Sequence, residues 1–329
     1  MKHHVPDPLR LLALLLLLAV PAVAAGCGGG TDSANAGATS AKDLTLRVGV
    51  QKDGVRSILQ ASGQLAKMPY KVSFSTFAFG PPLVEAAGAD KIDVAGVGST
   101  PPIFGAAAGS AFKVIASIEK RSHTDDTLLV PKGSPIRSFD QLKGKKIAIA
   151  KGSSANGYIL QVLRRFHLTP SDVQLVYLAP ADALAAFSSG QVDAWAVWQP
   201  FVAQALSGGA RAIMAGPPDE AGSSFEIASA KALDDPARRK ALSDFIVRLQ
   251  KAYAWAASNP DKWAAAWSKE SQLPVSTTTP AVRGVIADVK PVPAAVIAKQ
   301  QQLANVLTEE KVIPSKVDFK SIIDPGVLK

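Results

Sequence analysis

Two stretches about a hundred residues apart repeat one pattern. Residues 83–101 read LVEAAGADKIDVAGVGSTP, and residues 184–200 read LAAFSSGQVDAWAVWQP. In each, an Ala-rich helical segment ends near Gly. A β-branched residue and Asp follow, then a short apolar strand, then a turn closed by Pro. Asp93 and Asp193 hold equivalent places. The strands lack polar alternation, so both of their faces are expected to be buried, as in an α/β fold. The repetition fits two similar α/β lobes, or else two βα units of one large sheet. With two lobes, a ligand belongs in the cleft between them, at the carboxyl ends of the strands.

The turn after the first strand carries chemistry. Gly98 permits a tight turn, Ser99 and Thr100 are N-cap types, and Pro101 and Pro102 suit a first helical turn. A strand end feeding a helix start leaves N–H groups and hydroxyls free for an anion. A second such place follows the strand expected over 145–150. There Lys151, Gly152, Ser153 and Ser154 lead into a helix over 156–166. Ser99, Thr100, Ser153 and Ser154 thus supply neutral donors from two parts of the chain, and simple N-capping is the plainer use of the serines. Trp198, with Phe79 and Phe225, is a candidate wall for an apolar compartment, or core packing.

Further strands are expected over 44–50, 70–77, 112–118, 127–130, 173–178, 210–214 and 225–230. Helices are expected over 55–67, 182–188, 236–258, 261–268 and 294–307. Trp255, Trp263 and Trp267 are apolar anchors of the later helices.

Several function classes lack the residues they need. His123 and His167 are the only histidines beyond the N-terminal pair His3 and His4, and no spacing matches a metal site. His167 reads as a helix C-terminal cap. Neither serine turn fits G-x-S-x-G, no His is placed as a base, and G-x-x-x-x-G-K-[ST] is absent. Neither a metal, a cofactor nor an enzymatic activity is expected. The net charge of +9 is dispersed, with no run of five basic residues, which fits anionic small molecules or lipid rather than nucleic acid. A monomer is the default expectation.

Residues 1–27 read as a targeting segment. Lys2 and Arg10 precede an apolar run over 11–23 that is short for a membrane span, and small residues lead to Cys27. The pattern resembles a bacterial lipobox with Ala24 where Leu is usual. Cys27 is the only cysteine, so no intrachain disulfide is possible and a lipidated N-terminus is the reading adopted. An ordinary signal peptide is the alternative. Residues 28–43 are Gly-, Ala-, Ser- and Thr-rich and read as a flexible tether.

Motifs across residues 44–325 carry a family resemblance. GVQK at 49–52, GSTPPIF at 98–104, LVPKGSPI at 129–136, QLKGKKIAIAKGSSA ending at Ala155, and LAPADALAAFSSGQVDAWAVWQPF at 178–201 stand in order. The chain resembles the substrate-binding proteins of ABC importers for aliphatic sulfonates, which have taurine- and nitrate-binding relatives. The resemblance implies a type II periplasmic-binding-protein fold, two mixed α/β lobes closing on a ligand. It implies lobe one over 44–124 and 226–329, and lobe two over 125–225. It implies a pocket of Gln51, Phe79, Gly80, Pro81, Ser99, Thr100, Lys151, Gly152, Ser153, Ser154, Trp198 and Gln199. It also implies an extracytoplasmic location and, as partners, a membrane permease with its ATPase. Family members often carry an acid where this chain has Ser99, and Asp where it has Gln199. An ammonium would then lack its carboxylate, so a sulfonate without one is expected, unless Glu226 or Asp182 replaces the acid. The alternative is the same fold binding taurine, nitrate or another small organic nutrient, or acting as a ligand sensor.

Overall fold

The computed structural model describes residues 43–122, 125–215 and 223–328. In chain order, the first group of elements is β1 (Thr45–Val50), α1 (Val55–Ala61), β2 (Lys71–Thr76), α2 (Gly80–Gly88), β3 (Val94–Val97), α3 (Pro101–Ala107) and β4 (Phe112–Lys120). The next is β5 (Thr127–Val130), β6 (Lys146–Ile149), α4 (Ser154–Arg165), β7 (Gln174–Tyr177), α5 (Pro180–Ser188), β8 (Ala194–Val197), α6 (Phe201–Ser207) and β9 (Arg211–Ala215). The last is β10 (Ser224–Ser229), α7 (Ala230–Asp234), α8 (Pro236–Ser258), α9 (Pro260–Ser271), α10 (Val275–Val285), β11 (Ala287–Lys290) and α11 (Ala294–Glu309).

The strands form two sheets. One has the order β11-β4-β10-β3-β1-β2 and the other β7-β6-β8-β5-β9. The repeat seen in the sequence is therefore a repeat of sheet topology. β1 lies between parallel partners β2 and β3, as β6 lies between β7 and β8. In each sheet the third strand of that set pairs antiparallel with the next, β10 or β5.

The two aspartates explain why the repeat is so regular. Asp93 N–H donates to Arg47 O, and Arg47 N–H donates to Asp93 Oδ2 at 2.7 Å. Asp193 N–H donates to Lys146 O, and Lys146 N–H donates to Asp193 Oδ2 at 2.8 Å. Each carboxylate completes the ladder of the neighbouring strand at its open end, where a backbone donor would otherwise lie unpaired.

The chain passes between the sheets after β4 and again between β9 and β10. The packing between the two halves is not confined to these passages. α11 packs on α4 and α10 on α6, and Leu303, Ala304 and Leu307 of α11 join the core around the second sheet.

Two sequence expectations change. The helix begun at Val55 stops at Ala61 instead of continuing to residue 67. Gly63 takes a left-handed φ of 74°, and Gln64 N–H closes onto Leu59 O, a Schellman-type end. α10 was not foreseen, because its threonines and Pro280 are poor helix formers. Tertiary packing overrides that preference: Thr277, Thr278, Ala281 and Val282 are buried, and Thr278 Oγ1 donates to Ala264 O at 2.8 Å.

The targeting segment, Cys27, the tether to residue 42 and His123 lie outside the described residues. Among the described residues no helix is long and apolar enough to cross a membrane.

Candidate functional site

Strand ends from both sheets converge on one cavity of about 70 Å³. From the first sheet come Gln51 and Asp53 after β1, Gly96 to Gly98 at the end of β3, and Gly80 and Pro101 at two helix starts. From the second come Ser153 and Ser154 at the start of α4, and Trp198 and Gln199 after β8. Lys120, Asp125 and Ser224 line it from the passages between the sheets. A second chamber of about 330 Å³ shares Gln51, Asp53, Trp198 and Gln199 with the first, and its remaining wall is mostly apolar.

The halves meet closely around the cavity. A β-carbon placed on Gly98 would lie 2.6 Å from Ser154 Cβ. One on Gly152 would lie 3.3 Å from Pro81 Cγ and 3.2 Å from Phe104 Cδ1, and one on Gly157 would strike Thr100 Oγ1. Glycine at these positions lets the backbones approach until little open space remains.

The α4 turn is internally ordered. Ser153 Oγ donates to Ala150 O at 2.7 Å and accepts from Asn156 N–H, and Gly152 N–H donates to Asn156 Oδ1 at 2.9 Å. Asn156 is fully buried, and its Nδ2 has no partner among the described residues. Ser154 Oγ donates to Asp126 Oδ1 at 2.8 Å. What α4 offers the cavity is therefore its N-terminal dipole and backbone donors, with the serine hydroxyls already engaged.

Carboxylates also line the cavity. Lys120 pairs with Asp125, whose Oδ1 also accepts from Gln199 N–H at 3.3 Å. Asp53 Oδ1 accepts from Val55 N–H at 3.2 Å, and Asp53 has no salt-bridge partner among the described residues. Burial pushes Asp53 up to about 6, with the Val55 N–H pulling the other way. Glu226 on β10 is 1 % exposed and its Oε1 has no partner. Burial, and then the charge of Asp53, push it up to about 8. Burial also raises Asp126, against the pull of Lys120 and the Ser154 hydroxyl. Burial lowers Lys120, opposed by Asp126 and Asp53.

Of the residues expected in the pocket, Gln51, Gly80, Ser153, Ser154, Trp198 and Gln199 line the cavity. Pro81 and Gly152 touch each other just outside it. Ser99 and Thr100 are buried at the seam, their hydroxyl oxygens 3.5 Å apart. Phe79 packs against the core. Lys151 is exposed and lies over the Tyr177 ring, 5.8 Å from its centroid. Phe225 is fully buried against Phe319 and faces no ligand space.

Ser99 and Gln199 bring no carboxylate to the cavity, but other acids stand close by. Asp53 and Asp125 line it, and Glu226 lies beneath Gly96, while Asp182 is exposed on α5. Asp53 was legible as the third residue of the Gln51–Gly54 turn at a strand end. Asp125 sits in a passage between sheets, where sequence periodicity says nothing.

Residues 82–263 match the family model described as NMT1/THI5 like. A protein of Escherichia coli (strain K12) named as an aliphatic sulfonates-binding protein is 34% identical over 287 residues, covering 84% of this chain and 88% of that one. The alkanesulfonate-binding protein SsuA of Xanthomonas axonopodis pv. citri, solved bound to MOPS, superposes with a TM-score of 0.79 at 30% identity. That match covers 87% of this chain and 100% of that one. The desulfurization enzyme DSZB shares the fold at 14% identity, with a TM-score of 0.60, 87% of this chain and 97% of that one being covered. By the span of the family match and the identity to the sulfonate binders, the chain belongs to the NMT1/THI5-like family, on its aliphatic sulfonate-binding branch.

Proposed function

We propose that this protein captures a small organic sulfonate between its lobes, outside the cytoplasmic membrane, and hands it unchanged to an ABC permease with its ATPase. The observation that carries the reading is the start of α4, a helix of 12 residues, facing the β3 turn across the cavity where strand ends of both sheets meet. A sulfonate stays ionised at all ordinary pH. It is best held by backbone N–H groups and a helix dipole, which need no full counter-charge. Of the twelve residues expected in the pocket, Gln51, Gly80, Ser153, Ser154, Trp198 and Gln199 would contact the ligand, Pro81, Ser99, Thr100 and Gly152 would act through closure, and Phe79 and Lys151 would flank the site. Lipidation at Cys27 would tether the protein near the permease, with residues 28–43 as the slack.

Binding without turnover fits the lining, which holds serines but neither His nor Cys. The hydroxyls of Ser153 and Ser154 donate to Ala150 O and to the Asp126 carboxylate, and no His stands beside them in the lining. Isothermal calorimetry of the purified protein with butanesulfonate, 3-aminopropanesulfonate and nitrate tests the reading. Saturable one-to-one binding of a sulfonate, with the ligand recovered intact and nitrate weaker, is expected. No heat from either sulfonate with a folded sample overturns it.

A further inference from the structure

The cavity is unlike a simple anion site, and Asp53 is the reason. Asp53 lines both the inner cavity and the outer chamber, so it stands where the two share a wall. The chain holds it there firmly. Trp267 Nε1 donates to Lys52 O and Trp263 Nε1 donates to Gly54 O, each at 3.2 Å, so the carbonyls on either side of Asp53 are pinned by α9. The two indoles are stacked, 5.8 Å between centroids. Gly54 has a φ of 84°, and a β-carbon there would lie 2.7 Å from Trp267 Cδ2. A carboxyl on a backbone fixed this way is preorganised, and among the described residues it has no ion-pair partner, Lys120 acting on it only through its charge. The nearby ammonium, Lys120, is engaged with Asp125. Among the described residues the carboxyls of Asp53, Asp125 and Asp126 gather around that one ammonium. An anion entering alone would add to an excess of negative charge.

We propose that Asp53 is a specificity-determining residue that receives the protonated amine of an aminosulfonate, whose sulfonate lies at the start of α4. The inference rests on the sulfonate reading of the site and adds the second charge of the ligand. A zwitterion brings the missing cation to the junction and leaves the local charge unchanged overall. The carbon body of the ligand, or substituents on its nitrogen, then extend into the outer chamber between Phe77 and Phe201. Selection follows from a pair that a neutral tail cannot make. Hydrogen bonds to a charged group separate two ligands of one shape by about tenfold or more.

The test compares 3-aminopropanesulfonate with butanesulfonate, which have the same shape and differ by NH₃⁺ against CH₃. Calorimetry on the wild type is expected to give affinity at least about tenfold higher for the amine. In Asp53→Asn the amide oxygen still accepts from Val55 N–H, so the turn is kept and the preference falls to within about threefold, with butanesulfonate bound at least as well as before. Equal or tighter binding of butanesulfonate by the wild type overturns the proposal while leaving the sulfonate reading intact. A preference unchanged in Asp53→Asn does the same. Failure of both sulfonates to bind folded wild-type protein overturns the sulfonate reading and this inference with it.

Discussion

Gly98 and Ser154 meet across the cleft with no room between them, since an added β-carbon would lie 2.6 Å from Ser154 Cβ. Both atoms are anchored to backbone, so neither can swing aside. Gly98→Ala is expected to hold the halves apart, lowering sulfonate affinity by about tenfold or more while the ligand-free melting temperature stays within about 2 °C. Calorimetry and thermal unfolding of the same sample check it. Unchanged affinity would mean that the two residues do not close on each other when ligand binds. Glu226 poses a different question at the same scale. It is buried, its Oε1 is unpartnered, and its carboxyl is raised to about 8. A carboxyl raised by folding binds more protons in the native state than in the unfolded one. Its contribution is therefore complete below its unfolded pKa and is lost as pH rises through the folded value near 8. Between these limits the wild type is expected to lose up to about 1.4 kcal/mol per pH unit relative to Glu226→Gln. Urea unfolding of both proteins at pH 5 and pH 8.5 measures the difference, and parallel pH profiles would show that Glu226 ionises freely.

The repeated helix–strand–turn units were legible because each strand is short, apolar and preceded by the same Asp. The structure gives those aspartates unequal work. Asp93 is fully buried and takes Arg47 Nη2 at 2.6 Å and Arg238 Nη1 at 2.9 Å besides the Arg47 N–H. Asp193 is partly exposed and takes the Lys146 N–H. Asp93→Ala strands two half-buried guanidinium groups and is expected to destabilise by about 3–5 kcal/mol. Asp193→Ala loses a hydrogen bond that water can partly replace, about 1 kcal/mol. Equal losses in chemical denaturation would show that the arginine cluster adds nothing. The start of α4 yields the prediction closest to function. Ser154 is the first helical residue, and Ser153 before it is extended with ψ of 169°, so proline fits there without breaking the helix. Ser154→Pro removes one backbone donor from the cavity. Compared with Ser154→Ala, it is expected to weaken sulfonate binding by about tenfold with helix stability nearly unchanged. Sequence pattern located this helix and its serines. It did not reveal that the Ser154 hydroxyl serves Asp126, because that partner is set by a tertiary contact, not by spacing. α10 and the short β11 were missed for a related reason: their stability comes from what they pack against.

At the scale of the whole molecule, two sheets act as one binding device only if the passages between them hold a defined geometry. Lys120 is the last residue of β4, while Asp125 and Asp126 stand just before β5, so the pairing of Lys120 with Asp125 spans the first passage. The Ser154 hydroxyl on Asp126 ties the same passage to α4, and Gln199 N–H on Asp125 ties it to the end of β8. The first passage between the sheets, the start of α4 and the Trp198–Gln199 turn thus share one charge cluster. Little of this could be read from sequence, because Lys120 and the two aspartates carry no periodic signal and look like ordinary loop charges. Lys120→Met keeps the length and apolar stem of the side chain and removes only the ammonium. The carboxyls of Asp53 and Asp126 then lose the cation that favours their charged forms, so their pKa values rise further on folding. Folded-state pKa values raised in this way cost stability as pH increases. The variant is therefore expected to lose about 3–5 kcal/mol at pH 8 and markedly less at pH 5, where the carboxyls can take up protons. Denaturant unfolding at the two pH values distinguishes this from a packing defect, which would cost the same at both. Sulfonate affinity at pH 8 should fall in step with stability if the cluster positions the lobes. Affinity held at the wild-type level in a destabilised variant would confine the role of Lys120 to the fold.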